Sequence, residues 1–284
     1  MVGIELGRVW VGGVMKMANS VIHFLQQWLV YHPTILKFSW NPPLTPFSSL
    51  PLLSLSLFCY ISLTLLLPFL PLPPLTPRFL KPITSFHSLF LFSLSLLMSF
   101  STMLTIFSLP LSILCFPPHT KPNGPLFFWA YIFYLSKFIE LIDTLLIILS
   151  RNFRRLSFLH VYHHATVLIM CYLWLHTSQS LFPIALITNA SVHVIMYAYY
   201  FLTALGIRPT WKRLVTDSQI LQFVFSFVVS LIMLYYHFSG QGCSGIWGWC
   251  FNALFNASLL ALFLDFHRKS YAQRNKDKLN VKTD

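Results

Sequence analysis

Three histidines lie within five residues of one another, at His160, His163 and His164. Helical neighbours recur at intervals of three and four residues, so all three imidazole rings share one face of a helix. The run that contains them, 157–176, is apolar and long enough to cross a bilayer. Ionisable side chains are costly at membrane depth and mark functional sites. The cluster is therefore the first candidate for chemistry.

Two kinds of chemistry suit such a cluster. In the first, a neutral imidazole acts as a nucleophile or base near neutral pH, attacks a thioester and is oriented by its neighbours. Cys171 lies on roughly the same face and is a rival nucleophile, but an apolar setting makes a thiol the weaker candidate. The second kind of chemistry uses the imidazoles as metal ligands.

The metal alternative has two forms. An HxxHH box resembles those of membrane di-iron desaturases and hydroxylases, but such enzymes need several boxes. This chain has 11 histidines, and those outside the cluster are scattered singly, which disfavours di-iron chemistry. A mononuclear site of two or three imidazoles with Asp143 stays open.

The elements that must position the cluster are transmembrane helices. The 284 residues are 56% hydrophobic and 9% charged, whereas a soluble domain has about 25% charged residues. At about 20 residues per crossing, the predicted spans are 49–71, 85–108, 126–149, 157–176, 181–203, 214–236 and 243–265. We therefore predict an all-α polytopic membrane protein whose domain, 49–265, has seven transmembrane helices. An N-terminal segment, 1–48, with an interfacial helix near 21–35, precedes it, and a basic tail, 266–284, follows.

The basic residues indicate how the helices are oriented. The net charge of +12 lies mainly in short loops and the tail, beside apolar spans, which favours a topology signal over nucleic-acid binding. Lys and Arg concentrate in the tail and in the loops after the first, third and fifth spans. By the positive-inside rule these segments are cytosolic and the N-terminus lies on the opposite side.

Three other spans carry polar stripes at helical spacing. The stripes are Lys137, Glu140, Asp143 and Thr144 on the third span, Asn189, His193, Tyr197 and Tyr200 on the fifth, and Thr216, Gln219 and Gln222 on the sixth. Singly, Lys137 with Glu140 could be a structural ion pair and the glutamines could join helices by hydrogen bonds. Because all the stripes fall in or near the cytosolic half, we predict one buried polar chamber that opens to the cytosol.

These residues form four motifs in order on successive spans. Residues Lys137–Thr144 read KxxExxDT, His160–His164 read HxxHH, Asn189–Tyr200 read NxxxHxxMYxYY, and Thr216–Phe223 read TxxQxxQF. Together they resemble the motifs of the ELO fatty-acid elongases, the condensing enzymes of very-long-chain fatty acid synthesis. We suspect a plant-type member. The resemblance covers about residues 129–223, and the Leu-rich stretch 45–115 contributes little to it.

The resemblance implies that a long-chain acyl-CoA condenses with malonyl-CoA to give a 3-oxoacyl-CoA, CO2 and CoA through an acyl-imidazole. By motif position, His163 would be the acylated nucleophile and His193 would help to bind or activate the acyl and malonyl units. His160 and His164 would orient rings or exchange protons, and Asp143 would fix an imidazole tautomer. The expected substrate-binding residues are Lys137, Glu140, Asn189, Tyr197, Gln219, Gln222, Arg151 and Arg155, with an apolar tunnel for the acyl chain.

The resemblance also implies a context. We expect no metal or redox cofactor, location in the endoplasmic reticulum membrane with a lumenal N-terminus and cytosolic C-terminus, and contact with membrane lipid. Partners would be the 3-oxoacyl-CoA reductase, the dehydratase and the enoyl reductase of the cycle, or a second copy of the chain. If the far side is the oxidising lumen, Cys115 and Cys243, both in far-side loops, could form a disulfide. The rival functions are a metal-dependent membrane lipid oxidoreductase or hydrolase, and a lipid transporter.

Overall fold

The computed structural model describes residues 17, 19–71, 73, 75–109 and 112–272. Residues 1–16 and the basic residues Arg274, Lys276, Lys278 and Lys282 of the predicted tail lie outside that part. Within it, residues 19–29 are helical and seven helices have 17 residues or more. These long helices are α1 (Leu50–Leu66), α2 (Pro77–Ser108), α3 (Pro125–Leu149), α4 (Phe158–His176), α5 (Phe182–Ala204), α6 (Lys212–Ser239) and α7 (Ile246–His267).

Six of the long helices in the described residues are long and apolar enough to cross a membrane. The remaining one, α3, has the length but holds Lys137, Glu140 and Asp143 within it. The expectation of an all-α polytopic membrane protein is confirmed, and the count of seven spans stays a prediction.

Six of the helices close into a ring. Contacts run from α2 to α5, then to α6, α7, α4 and α3, and from α3 back to α2. The helix α1 packs outside this ring against α3 and α4. The ring brings the polar stripes predicted on α3, α4 and α5 toward a shared interior.

Local sequence fixes where the helices of the site begin. Proline occupies the first turn of α1, α2, α3 and α5, where its missing N–H costs nothing and its fixed φ is already helical. The N-cap of α4 is Ser157, whose hydroxyl accepts a hydrogen bond from the backbone N–H of His160 at 3.2 Å. This cap sets the first turn of the helix, so it also sets the position of the HxxHH histidines.

One end of the ring, which we call the disulfide end, is tied by the loops before α3, before α5 and before α7. Cys115 and Cys243 are joined in a disulfide. Close by, Ser180 accepts a hydrogen bond from the backbone N–H of Phe116 at 2.9 Å and donates to the carbonyl of Ser244 at 3.0 Å. The predicted N-terminal segment reaches the same end, where the Trp40 backbone N–H donates to the Pro122 carbonyl at 2.8 Å.

The opposite end, the basic end, is formed by the loops after α1, α3 and α5. Arg151 donates to the carbonyl of Leu70 at 3.1 Å, and the backbone N–H of Leu75 donates to the carbonyl of Leu149 at 3.0 Å. Along the chain, the loops between the long helices therefore alternate between the two ends.

An aromatic core fills the half of the ring nearer the disulfide end. Phe133 stacks on Trp174 with ring centroids 5.6 Å apart, and Trp174 in turn stacks on Phe182 at 6.2 Å. All three side chains are fully buried. This packing leaves the half nearer the basic end for polar side chains.

Candidate active site

A buried ion pair holds the polar stripe of α3. Lys137 Nζ lies 2.7 Å from Glu140 Oε1, and their side chains are 0% and 2% exposed. The same oxygen lies 3.3 Å from His193 Nδ1 on α5. One carboxylate therefore links α3 to α5 and fixes the orientation of the His193 ring.

Asp143, one turn further along α3, has different partners. Its Oδ2 accepts a hydrogen bond from the Tyr197 hydroxyl at 2.8 Å, and its Oδ1 lies 3.2 Å from His87 Nε2 on α2. The imidazole that Asp143 contacts is thus His87 and not one of the HxxHH rings. The aspartate joins α2, α3 and α5, and Tyr197 also packs its ring against His193 at 5.6 Å.

The first histidine of the HxxHH box is held by hydroxyls. His160 Nε2 lies 2.9 Å from Thr144 Oγ1, which in turn lies 3.1 Å from the Tyr60 hydroxyl. His164 packs on His160 with ring centroids 4.4 Å apart and is itself buried. Its Nδ1 has no hydrogen-bond partner in the described part of the chain.

His163 faces a cavity. Its ring is half-buried, lies 5.2 Å from the His164 ring and stacks at 6.5 Å on Phe255 of α7. The cavity has a volume of about 40 Å³ and is bordered by α4, α5, α6 and α7. Asn189 and Gln222 line it beside His163, and the Asn189 amide donates to Gln222 Oε1 at 3.5 Å. These two predicted substrate-binding residues therefore line the same cavity as the predicted nucleophile.

The other predicted substrate-binding residues lie outside this lining. Gln219 donates to the sulfur of Met196 at 3.6 Å, which joins α6 to α5. The Arg151 guanidinium donates to loop carbonyls, and the Arg155 guanidinium lies 5.8 Å from the Tyr200 ring. Both arginines are exposed at the basic end.

The described residues show where the ligands and nucleophiles of the alternative chemistries lie. No group of three or more His, Cys, Asp or Glu side chains in the described residues is arranged to hold a metal ion. The predicted ligand Asp143 instead contacts His87 and Tyr197. Cys171 is fully buried in the aromatic core. His163 is the histidine of the HxxHH box that lines the cavity, and the His164 ring packs against both His163 and His160.

Several residues of this site were not predicted from the sequence. His87 was counted as a scattered histidine, although an ionisable residue within a span is itself a signal of a site. Tyr60 was missed because α1 carries no motif. The amides of α7, Asn252 and Asn256, line the cavity but lie outside all four motifs.

The ring of helices with a buried imidazole and amide site defines the chain as an integral membrane protein with the features of an enzyme. A sequence profile of the ELO family, described as the GNS1/SUR4 family, matches residues 45–279. The chain therefore belongs to the ELO family.

Named relatives agree with this assignment. The chain is 36% identical over 169 residues to fatty acid elongase A of Dictyostelium discoideum, covering 58% of the chain and 60% of that protein. It is 31% identical over 171 residues to fatty acid elongase 3-like of Arabidopsis thaliana, covering 59% and 58%. It is 35% identical over 168 residues to very long chain fatty acid elongase 5 of Homo sapiens, covering 53% and 51%. The chain thus spans about half to three fifths of the length of the relatives it matches, and a plant-type assignment stays a prediction.

Proposed function

We propose that the protein is the condensing enzyme of very-long-chain fatty acid elongation, which joins a long-chain acyl-CoA to malonyl-CoA. The products are a 3-oxoacyl-CoA, CO2 and CoA. The observation that carries the proposal is the position of His163, which lines the same cavity as the amides of Asn189 and Gln222, while the neighbouring His160 lies 2.9 Å from the Thr144 hydroxyl. Membership of the ELO family and similarity to proteins named as fatty acid elongases support it.

The proposed reaction has two stages. A nitrogen of His163 attacks the carbonyl carbon of the acyl-CoA thioester, the C–S bond breaks, and CoA leaves with the proton that the ring loses. Malonyl-CoA then loses CO2, and the carbon that carried the carboxylate forms a C–C bond to the acyl carbon. The bond between the acyl carbon and the imidazole nitrogen breaks, and that nitrogen takes up one proton from solvent, which restores neutral His163. His193, held by Glu140, would bind or activate the substrates, and no metal or redox cofactor takes part.

The amides and cations would bind the substrates. Asn189 and Gln222 line the cavity with His163 and would hydrogen-bond the thioester or malonyl oxygens. Arg151 and Arg155 at the basic end would attract the phosphates of CoA. The Lys137–Glu140 pair would act indirectly, by holding His193.

The cellular setting follows from the same proposal. We place the enzyme in the endoplasmic reticulum membrane, with the basic end facing the cytosol and the disulfide end facing the lumen, because positive loops stay cytosolic and disulfides form in oxidising compartments. Its products would pass to a 3-oxoacyl-CoA reductase, a dehydratase and an enoyl reductase, and a second copy of the chain is a further expected partner.

The test is incorporation of radiolabelled malonyl-CoA into longer acyl chains by the purified protein in detergent or vesicles. We expect incorporation that requires acyl-CoA, and its loss in His163→Ala. The matched control is His176→Ala, which removes an exposed histidine near the other end of the same helix. Unchanged incorporation in His163→Ala would discard the nucleophile assignment. If the wild-type protein incorporated no label, the result would instead favour the rival functions, a metal-dependent oxidoreductase or hydrolase and a transporter.

A further inference from the structure

The cavity beside His163 has two unlike walls. The α4 wall is apolar and consists of Val167, Met170 and Trp174. At 1.5 Å of rise per residue it extends roughly 16 Å from His163 to Trp174. The wall formed by α6 and α7 contains Ser226, Asn252 and Asn256. A tunnel built only for hydrocarbon would not need three polar side chains on one wall.

These three residues are hydrogen-bonded to one another, but not all of their donors and acceptors have a partner. The Asn256 amide nitrogen lies 3.3 Å from Ser226 Oγ and 3.3 Å from Asn252 Oδ1. Both distances are at the long end for N–H···O bonds. The amide nitrogen of Asn252 has no hydrogen-bond partner among the described residues. On the α5 side, Asn189 Oδ1 is buried without a partner in the same part of the chain.

The position of the cluster separates it from the thioester. Phe255 stacks on His163, and Asn252 lies three residues before Phe255 on α7, which runs from the disulfide end to the basic end. Ser226 lies four residues beyond Gln222 on α6, which runs the other way. Asn252 is thus roughly one turn, about 5 Å, further from the basic end than Phe255, and Ser226 is about 6 Å further from that end than Gln222. An acyl chain attached to His163 would pass them a few carbons beyond its carbonyl.

The charge of the lining indicates what kind of group fits. Apart from His163, the residues that line this cavity in the described chain are neutral, and the nearby Lys137 is already paired with Glu140. A carboxylate or phosphate would therefore find no counter-charge. A hydroxyl both donates and accepts, so it can take the free N–H of Asn252 and donate to an amide oxygen. A plain methylene would leave that N–H unpaired, which is unfavourable.

We propose that Ser226, Asn252 and Asn256 form a subsite for a neutral oxygen on the acyl chain, so that the site favours hydroxylated chains over unsubstituted ones. This proposal rests on the proposed function, because that function identifies the ligand as an acyl-CoA. The subsite determines specificity and takes no part in bond making.

The test compares acyl-CoAs of one chain length that differ only in the presence and position of a hydroxyl group. Equilibrium binding of each radiolabelled acyl-CoA is measured without malonyl-CoA, and elongation is measured with it. We expect the wild-type protein to bind the chain hydroxylated at one position about tenfold more tightly than the plain chain, the factor expected for one well-placed hydrogen bond. Asn252→Leu, which is close in shape, should abolish the preference.

Two further variants make the result decisive. Ser226→Ala removes a smaller group and should weaken the same preference if Asn252→Leu does not fold. Thr188→Val is the matched control, because Thr188 lines the same cavity but its hydroxyl already donates to the carbonyls of its own helix. It should leave the preference unchanged. A wild-type protein that binds the plain chain as tightly as every hydroxylated one, or variants that keep the preference, would overturn the proposal. Binding with the expected preference but no elongation would instead count against the proposed function.

Discussion

Replacing Glu140 with Gln removes the carboxylate that serves both Lys137 and His193. The ammonium group of Lys137 lies 2.7 Å from that carboxylate, and its side chain is fully buried. Without the carboxylate, a buried charge loses its partner, and breaking a buried pair in this way costs about 3–5 kcal/mol. We therefore expect the free energy of unfolding of Glu140→Gln to fall by about that amount.

Removing both members of the pair should cost less than removing one. In Lys137→Met with Glu140→Met no charge remains to be compensated, and such replacements are often close to neutral in stability. The assay is denaturant unfolding of each variant in mixed micelles, followed by tryptophan fluorescence. The reasoning would be refuted if the single variant were as stable as the wild type, or if the double variant were the less stable of the two.

Two further predictions concern hydroxyls and thiols. Thr144→Val removes the hydroxyl that lies 2.9 Å from His160 and 3.1 Å from Tyr60, so we expect the rate of elongation to fall about tenfold. Thr144→Ser keeps a hydroxyl and should retain the rate. Equal rates for the two variants would contradict this role. Cys115→Ser opens a disulfide that spans 128 residues and should lower stability by about 2–5 kcal/mol in thermal unfolding. Cys59→Ser is its control, and identical unfolding of oxidised and reduced wild-type protein would contradict the prediction.

Much of the site could be predicted from the helical period of the sequence. Because residues three and four apart share a helix face, Lys137 and Glu140 could be placed side by side, and His160 could be placed against His164. The apolar runs between loops located the ends of the long helices within five residues, except that α2 begins at Pro77 and not at residue 85. Depth counted along each helix placed these groups at a common level.

Contacts between helices could not be read from the same period. Nothing in the spacing of Asp143 specifies that its carboxylate meets His87, because that contact depends on how α2 rotates against α3. The approach of α7 to His163 through Phe255 likewise depends on closure of the ring. Such contacts are set by side-chain packing over the whole bundle and not by local pattern.

The central claim is that His163 carries the acyl group between the two stages. The most direct measurement is peptide mass mapping of the protein after incubation with a long-chain acyl-CoA and no malonyl-CoA, quenched rapidly. The account predicts an acyl mass increment on the peptide that contains His163, discharged when malonyl-CoA is added and absent in His163→Ala. An increment on Cys171, or one that persists in His163→Ala, would contradict it.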